Sequence, residues 1–232
     1  MNDELHPTTR NVLDDMYGTN VLFGTESAGP IPLDGHVLIS AQQGAAIHDF
    51  IRSHSIKKSL EIGFAYGFST VWILDALRSQ PHIAIDPFEK TVWHGIGLAQ
   101  VKRLGFEYNF RWIEDCSIHA LSDMIRQKEL FDFIYIDGSH KFDDVLVDFY
   151  LSDQVLKCGG YIAFDDMWMR SVRTVISFIR SNRAYVPIPQ SSQNVMVLQK
   201  QHNDNRDWAH FNPFEVALER GPLLNWRLSF KN

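Results

Sequence analysis

Residues 57–77 read KKSLEIGFAYGFSTVWILDAL, and this stretch decides the fold. Ser59 to Ile62 is a short apolar run built around one acid, Glu61. Gly63-Phe64-Ala65-Tyr66-Gly67 is a glycine-bearing turn, and Phe68 to Leu77 reads as an almost wholly apolar helix. Strand, glycine turn and helix bring backbone N–H groups and a helix N-terminus close to a ligand. A Cβ at Gly63 or Gly67 would obstruct that approach. The same pattern also describes a tight turn inside an α/β core that binds nothing.

Spacing and charge bear on which ligand the turn takes. A dinucleotide fingerprint sets three glycines as G-x-G-x-x-G to seat a pyrophosphate. Here the spacing is G-x-x-x-G, with Ala65 in place of the middle glycine and Glu61 ahead of the first. A carboxylate beside the turn repels a pyrophosphate but accepts hydrogen bonds from an ammonium group. That favours a cationic, phosphate-free ligand such as S-adenosylmethionine. Glu61, Gly63, Tyr66, Gly67 and Ser69 are assigned to it.

Outward from this stretch, strands and helices alternate. Strands are expected at His82–Ile85, Phe110–Ile113, Phe131–Ile136 and Tyr161–Phe164, the last entered through a Gly159-Gly160 turn. Helices are expected at Thr91–Leu104, around Ile118–Ile125, around Phe142–Phe149 and at Ser171–Ser181. Such alternation implies parallel βαβ units and a doubly wound α/β sheet. Tyr185–Ile188 and Val195–Gln199 have no helix between them and should be antiparallel. Ser40 with Gln43 forms a capping-box pattern opening a further helix. The chain divides into an arm or lid (1–40, with a short helix near Thr9–Tyr17), a cofactor-binding domain (41–200) and an aromatic extension (201–232).

The 232 residues suit one α/β domain with additions. A net charge of −6 with scattered Lys and Arg argues against a nucleic-acid partner. Arg170, Arg173, Arg180 and Arg183 could form a basic stripe, but such runs usually mark a solvated helix face. Two cysteines are too few for a disulfide framework. No apolar window reaches the ~20 residues of a membrane span, and the N-terminus lacks a signal-peptide pattern. A soluble cytoplasmic protein is expected, and the apolar N-terminal arm suggests a homodimer or higher homo-oligomer.

The placement of acids is the most informative pattern. In open α/β sheets, ligands bind outside the carboxyl ends of the strands. Glu61, Asp86, Asp115, Asp137, and Asp165 with Asp166 all fall at such ends. Asp86 occupies the place where an acid accepts ribose hydroxyls, although it could equally be a turn former before Pro87. Asp115 and Cys116 are placed to meet an adenine edge; the alternatives are a helix cap and a small buried side chain. Asp137, Asp165 and Asp166 offer hard oxygen ligands of the kind Mg²⁺ prefers, and a dication would relieve their mutual repulsion. His140 follows Asp137 closely enough to share the crevice, and its ordinary pKa of about 6.5 suits a general base.

LEIGFAYGFST, FDFIYIDGSH and GGYIAFDDMW, in this order, resemble the class I S-adenosylmethionine-dependent O-methyltransferases. The metal-dependent branch is the nearest match, including catechol, caffeoyl-CoA and macrocin-type sugar O-methyltransferases. The resemblance covers roughly residues 40–200 and implies seven strands, the last antiparallel. It also implies that Glu61 and Gly63 hold the methionyl end, Asp86 the ribose, and Asp115 and Cys116 border the adenine. Asp137, Asp165 and Asp166 match the metal ligands of that family. The catechol type carries a lysine base where His140 stands and Asn where Asp166 stands. These departures move the expected acceptor toward a sugar or another natural-product hydroxyl, methylated with Mg²⁺ and with His140 as base. A nicotinamide-dependent dehydrogenase, distinguished by its pyrophosphate site, and a non-catalytic S-adenosylmethionine-binding protein, indifferent to loss of His140, are the competing readings.

Overall fold

A computed structural model describes residues 5–216, apart from 190, 191 and 193. The expected arm is largely part of the main body. Helix α1 (Pro7–Gly18) buries Val12, Leu13 and Met16, and a small antiparallel ribbon of β1 (Val21–Leu22) and β2 (Ile31–Pro32) follows it. Helix α2 (Ala41–Ser53) opens with both capping-box bonds formed between Ser40 and Gln43. Then come β3 (Ser59–Ile62), α3 (Phe68–Leu77), β4 (His82–Ile85), α4 (Ile96–Leu104), β5 (Phe110–Ile113) and α5 (Ser117–Gln127). The second half supplies β6 (Phe131–Ile136), α6 (Phe142–Val155), β7 (Leu156–Phe164), α7 (Arg170–Asn182), β8 (Tyr185–Ile188) and β9 (Met196–Lys200).

The main sheet has seven strands in the order β5-β4-β3-β6-β7-β9-β8. All are parallel except β9, which runs antiparallel to both β7 and β8. Side chains alternate between two cores. Phe133, Tyr135 and Ala163 face α1–α4, whereas Leu60, Ile62, Ile134 and Ile136 face α5–α7. This double burial explains why the strands read as continuous apolar runs. Every residue of helix α3 is buried, which explains its almost wholly apolar sequence; the polar Thr70 and Asp75 have buried partners in Glu61 and Thr9. It packs closely against α2, where a Cβ on Gly44 would lie 2.1 Å from the Trp72 indole nitrogen.

Two boundaries differ clearly from expectation. Helix α4 begins at Ile96 rather than Thr91, because Gly95 sits at φ 70° and directly precedes the first helical turn. Strand β7 extends back through Gly159-Gly160, with a register irregularity against β6 in place of the expected turn. The described part of the extension has no regular elements and rests on α7 through reciprocal Asn182–Asn212 bonds and a Phe178–Phe214 contact. Its Trp208 is exposed, and Trp226 lies outside the described residues. The arginine stripe is broken: Arg183 is buried against Asp153, and Arg173 donates to the Met167 and Trp168 carbonyls. Among the described residues, no helix is long and apolar enough to cross a membrane.

Candidate active site

The strand order reverses between β3 and β6, the point where open α/β sheets bind ligands. The ladder continues past the strand ends: Gly63 N–H donates to Ile85 O, Asp137 N–H to Ile62 O, and Asp165 N–H to Ile136 O. Gly63, Asp137 and Asp165 are therefore level along one edge. A cavity of about 2220 Å³ opens there. It exceeds the roughly 300–1,000 Å³ of a typical single-ligand site, so it has room for two substrates side by side.

On one side lies the glycine turn. Gly63 has φ 93° and Gly67 φ 78°, values that exclude ordinary side chains. A Cβ on Gly63 would also lie 2.2 Å from the Asp137 carbonyl oxygen. The glycine is thus required by the neighbouring strand, not only by an incoming ligand. Asp86 accepts from the N–H groups of Phe64 at 3.0 Å and Ala65 at 2.9 Å, and its other oxygen accepts from Phe88 N–H at 2.7 Å. Donors that a dinucleotide would need for its pyrophosphate are thus taken by a carboxylate, which disfavours the dehydrogenase reading. Asp86 still lines the cavity, as do Tyr66, Gly67, Ser69 and Cys116.

Two expected cofactor residues are placed elsewhere. Glu61 is fully buried beneath the turn, where it accepts from Thr70 Oγ1 and lies 3.1 Å from His82 Nε2. The alternation of β3 explains this: Ile62 and Leu60 point to one core, so Glu61 points under α3. Asp115 turns away to accept from Cys116 N–H at 2.7 Å and contact His119 Nδ1 at 2.9 Å. His119 and that N–H hold its carboxyl below the ordinary range.

On the other side, Asp137, His140 and Asp166 converge, with ligand atoms all within 4.8 Å of one another. His140 Nε2 is 2.9 Å from Asp166 Oδ2 and 3.7 Å from Asp137 Oδ1, but neither contact has hydrogen-bond alignment. Ligand atoms this close together could hold a divalent cation on the two carboxylates, with the imidazole beside it.

Asp165 is not the open ligand the sequence suggests. Its Oδ1 accepts from Gln43 Nε2 at 3.0 Å, Asn194 Nδ2 at 2.8 Å and Asp166 N–H at 2.7 Å, while Oδ2 accepts from Tyr135 OH at 2.7 Å. Burial nevertheless pushes its carboxyl up to about 6. Burial and the Asp165 charge raise Asp137 well above the carboxylate range. Burial also works against Asp166, yet His140, Trp168 and Asn194 hold it below that range. Contact with Asp137 and Asp166 raises His140 to about 10, so with no cation present it is an imidazolium at neutral pH, contrary to the expectation of a free base.

Sequence reading missed Gln43, Tyr135, Asn194 and Asp148. Asp148, on α6, is buried at the cavity wall, and burial raises it to about 6. Only Gln43 carried a signal, and it pointed to a helix cap.

The family described as a methyltransferase domain matches residues 60–167. Caffeoyl-CoA O-methyltransferase 1 of Zea mays is 26% identical over 137 residues, 57% of this chain and 52% of that protein. A protein of Arabidopsis thaliana whose name proposes caffeoyl-CoA O-methyltransferase activity is 24% identical over 72% of this chain and 68% of its own length. Among solved structures, the Bacillus cereus O-methyltransferase in complex with SAH has a TM-score of 0.61 at 19% identity, covering 84% of this chain and 91% of that one. Residues 60–167 thus form a methyltransferase domain, and the chain as a whole is similar to S-adenosylmethionine-dependent O-methyltransferases. TomG of Streptomyces achromogenes, solved with SAM, shares the fold at a TM-score of 0.59 and 15% identity, over 85% of this chain and 91% of that one.

Proposed function

We propose that this methyltransferase transfers the S-adenosylmethionine methyl group to a hydroxyl of a small molecule, a sugar or other natural product, with the help of a divalent cation. One observation carries the reading: the glycine turn and the Asp137–His140–Asp166 cluster open into the same cavity. Gly63, Tyr66, Gly67 and Ser69 would hold the cofactor on the turn side, and Asp86, the donors already on it notwithstanding, remains at the ribose position. Cys116 at the start of α5 would border the adenine. Asp137 and Asp166 would hold the cation, Mg²⁺ or another divalent ion, with His140 beside it rather than bound to it.

A cation bound there supplies Lewis-acid chemistry, lowering the pKa of a hydroxyl near it. The rest is done by the chain. The cleft between the glycine turn and the acidic cluster would hold the acceptor hydroxyl in line with the sulfonium methyl, an orientation effect. When Asp137 and Asp166 are engaged by other positive charge, His140 is no longer held as imidazolium and can take the hydroxyl proton at Nε2.

The test is transfer of a radiolabelled methyl group to a panel of phenolic, catechol and sugar hydroxyls, with Mg²⁺ or Mn²⁺ supplied. Transfer to at least one acceptor, lost in Asp137→Ala and His140→Ala, is the expected result. Undiminished transfer by both variants would overturn the assigned roles. Cofactor binding with no transfer to any acceptor would favour a non-catalytic binding protein.

A further inference from the structure

We propose that Gln43 and Asn194 are positioning residues, two neutral carboxamides that lock the Asp165–Asp166 pair so that one oxygen of Asp166 stays open to a divalent cation. The inference rests on the cation site of the proposed function and adds to it the residues that hold the site in shape.

Gln43 has its amide orientation fixed from both ends. Its Oε1 accepts from Ser40 N–H at 3.0 Å and Ser40 Oγ at 2.8 Å, which leaves Nε2 to donate to Asp165 Oδ1 at 3.0 Å. One side chain thus closes the cap of α2 and grips a carboxylate on the far side of the sheet order. Asn194, in the β8–β9 connection, donates through Nδ2 to Asp165 Oδ1 at 2.8 Å and reaches Asp166 Oδ1 at 3.4 Å. Its backbone oxygen accepts from Met167 N–H at 3.0 Å, which ties the same connection to the loop after β7.

The oxygens of Asp166 are consequently unequal. Oδ1 takes Trp168 Nε1 at 2.7 Å together with Asn194, and Oδ2 is left facing His140 and the cavity. Asp166 also has φ 56°, a left-handed conformation that a residue with a Cβ keeps only when its surroundings dictate it. Its N–H bond to Asp165 Oδ1 is one such constraint, and Asp165 is itself held by Gln43, Asn194 and Tyr135.

The chemical type of the clamp matters. A Lys or Arg in either position would orient Asp165 equally well but would cancel charge that attracts a dication. Amide donors orient the carboxylates and leave their charge in place. Groups that orient ligand residues in this way typically change metal affinity about 10–100-fold when removed.

The experiment is calorimetric titration of the full chain, loaded with S-adenosylhomocysteine, with MnCl₂. A separate titration with S-adenosylhomocysteine reports the cofactor side. Gln43→Ala and Asn194→Ala are expected to weaken Mn²⁺ about tenfold or more and to leave cofactor affinity within about twofold. Ser40→Ala is the control for a purely structural role: it removes the cap oxygen from α2 but leaves Ser40 N–H on Gln43 Oε1 and the Gln43–Asp165 bond in place. It should lower the unfolding temperature while keeping wild-type Mn²⁺ affinity. Equal loss of Mn²⁺ in Ser40→Ala, or wild-type affinity in both carboxamide variants, overturns the inference alone. No Mn²⁺ binding by the wild type overturns the cation reading as well.

Discussion

Two histidine–carboxylate clusters lie near the switch point, built from nearly the same chemistry and set in different surroundings. In one, Glu61 lies 3.1 Å from His82, with Thr70 and Ser59 completing the set, and every member is fully buried. In the other, Asp166 lies 2.9 Å from His140, with Asp137 alongside, and His140 keeps about a third of its side-chain surface exposed. The first cluster sits beneath α3 as part of the core. The second sits past the strand ends, where the cavity reaches it. Residue type does not separate the sealed cluster from the open one; position along the strand does. A side chain within a strand is sealed by a helix, whereas one just after the strand end has no helix over it.

The strongest way to break this comparison is at the open cluster. Asp137→Ala or His140→Ala should lower methyl transfer about 100-fold or more while leaving S-adenosylhomocysteine affinity near wild type, measured by single-turnover transfer and by calorimetry. At the sealed cluster the expectation is reversed. Glu61→Ala should destabilise the fold by about 3 kcal/mol in urea unfolding, because His82 and Thr70 lose a buried partner. If Glu61→Ala instead weakened cofactor binding without loss of stability, the distinction between the clusters would fail.

Glu89 sharpens the contrast, being a sealed carboxyl with no histidine. It is fully buried, accepts from Leu98 N–H at 3.0 Å, and is raised by burial to about 9. The folded state therefore keeps its proton where the unfolded chain has released it. Its stabilising contribution is complete below the ordinary glutamate range and declines as pH rises toward 9. Unfolding free energy should fall by about 1 kcal/mol per pH unit across that window from this group, and Glu89→Gln should flatten the slope. An unchanged slope in urea unfolding at pH 6, 7 and 8 would count against it. The smallest effect is expected at Asp115→Ala, which should change S-adenosylhomocysteine affinity by less than about twofold because the carboxylate points away from the cavity.

Much of this architecture was legible in the residues. Alternating apolar runs and helical periods gave the strands and most helices because their burial on two faces imposes those patterns. The Ser40–Gln43 cap was legible because its partners are three residues apart. Contacts between distant segments were not. Nothing in the sequence around Gln43 announces Asp165, and Asn194 lies in a connection with no periodicity. Asp86, Asp137 and Asp165 follow their strands as expected, but side-chain directions were not legible: Glu61 lies within β3 and points into the core, Asp115 turned outward and Asp165 was absorbed by four donors.

The sequence by itself determined the class of fold, the turn at Gly63–Gly67 and the placement of acids at the ends of consecutive strands. These follow from local rules, namely backbone freedom, period and the direction of the chain. Tertiary structure alone decided which acids face the cavity, which side chain pairs with His140, and that Glu61 belongs to the core. Those outcomes depend on the order in which strands lie side by side and on the donors that neighbouring elements bring, and neither is written in any single stretch of residues.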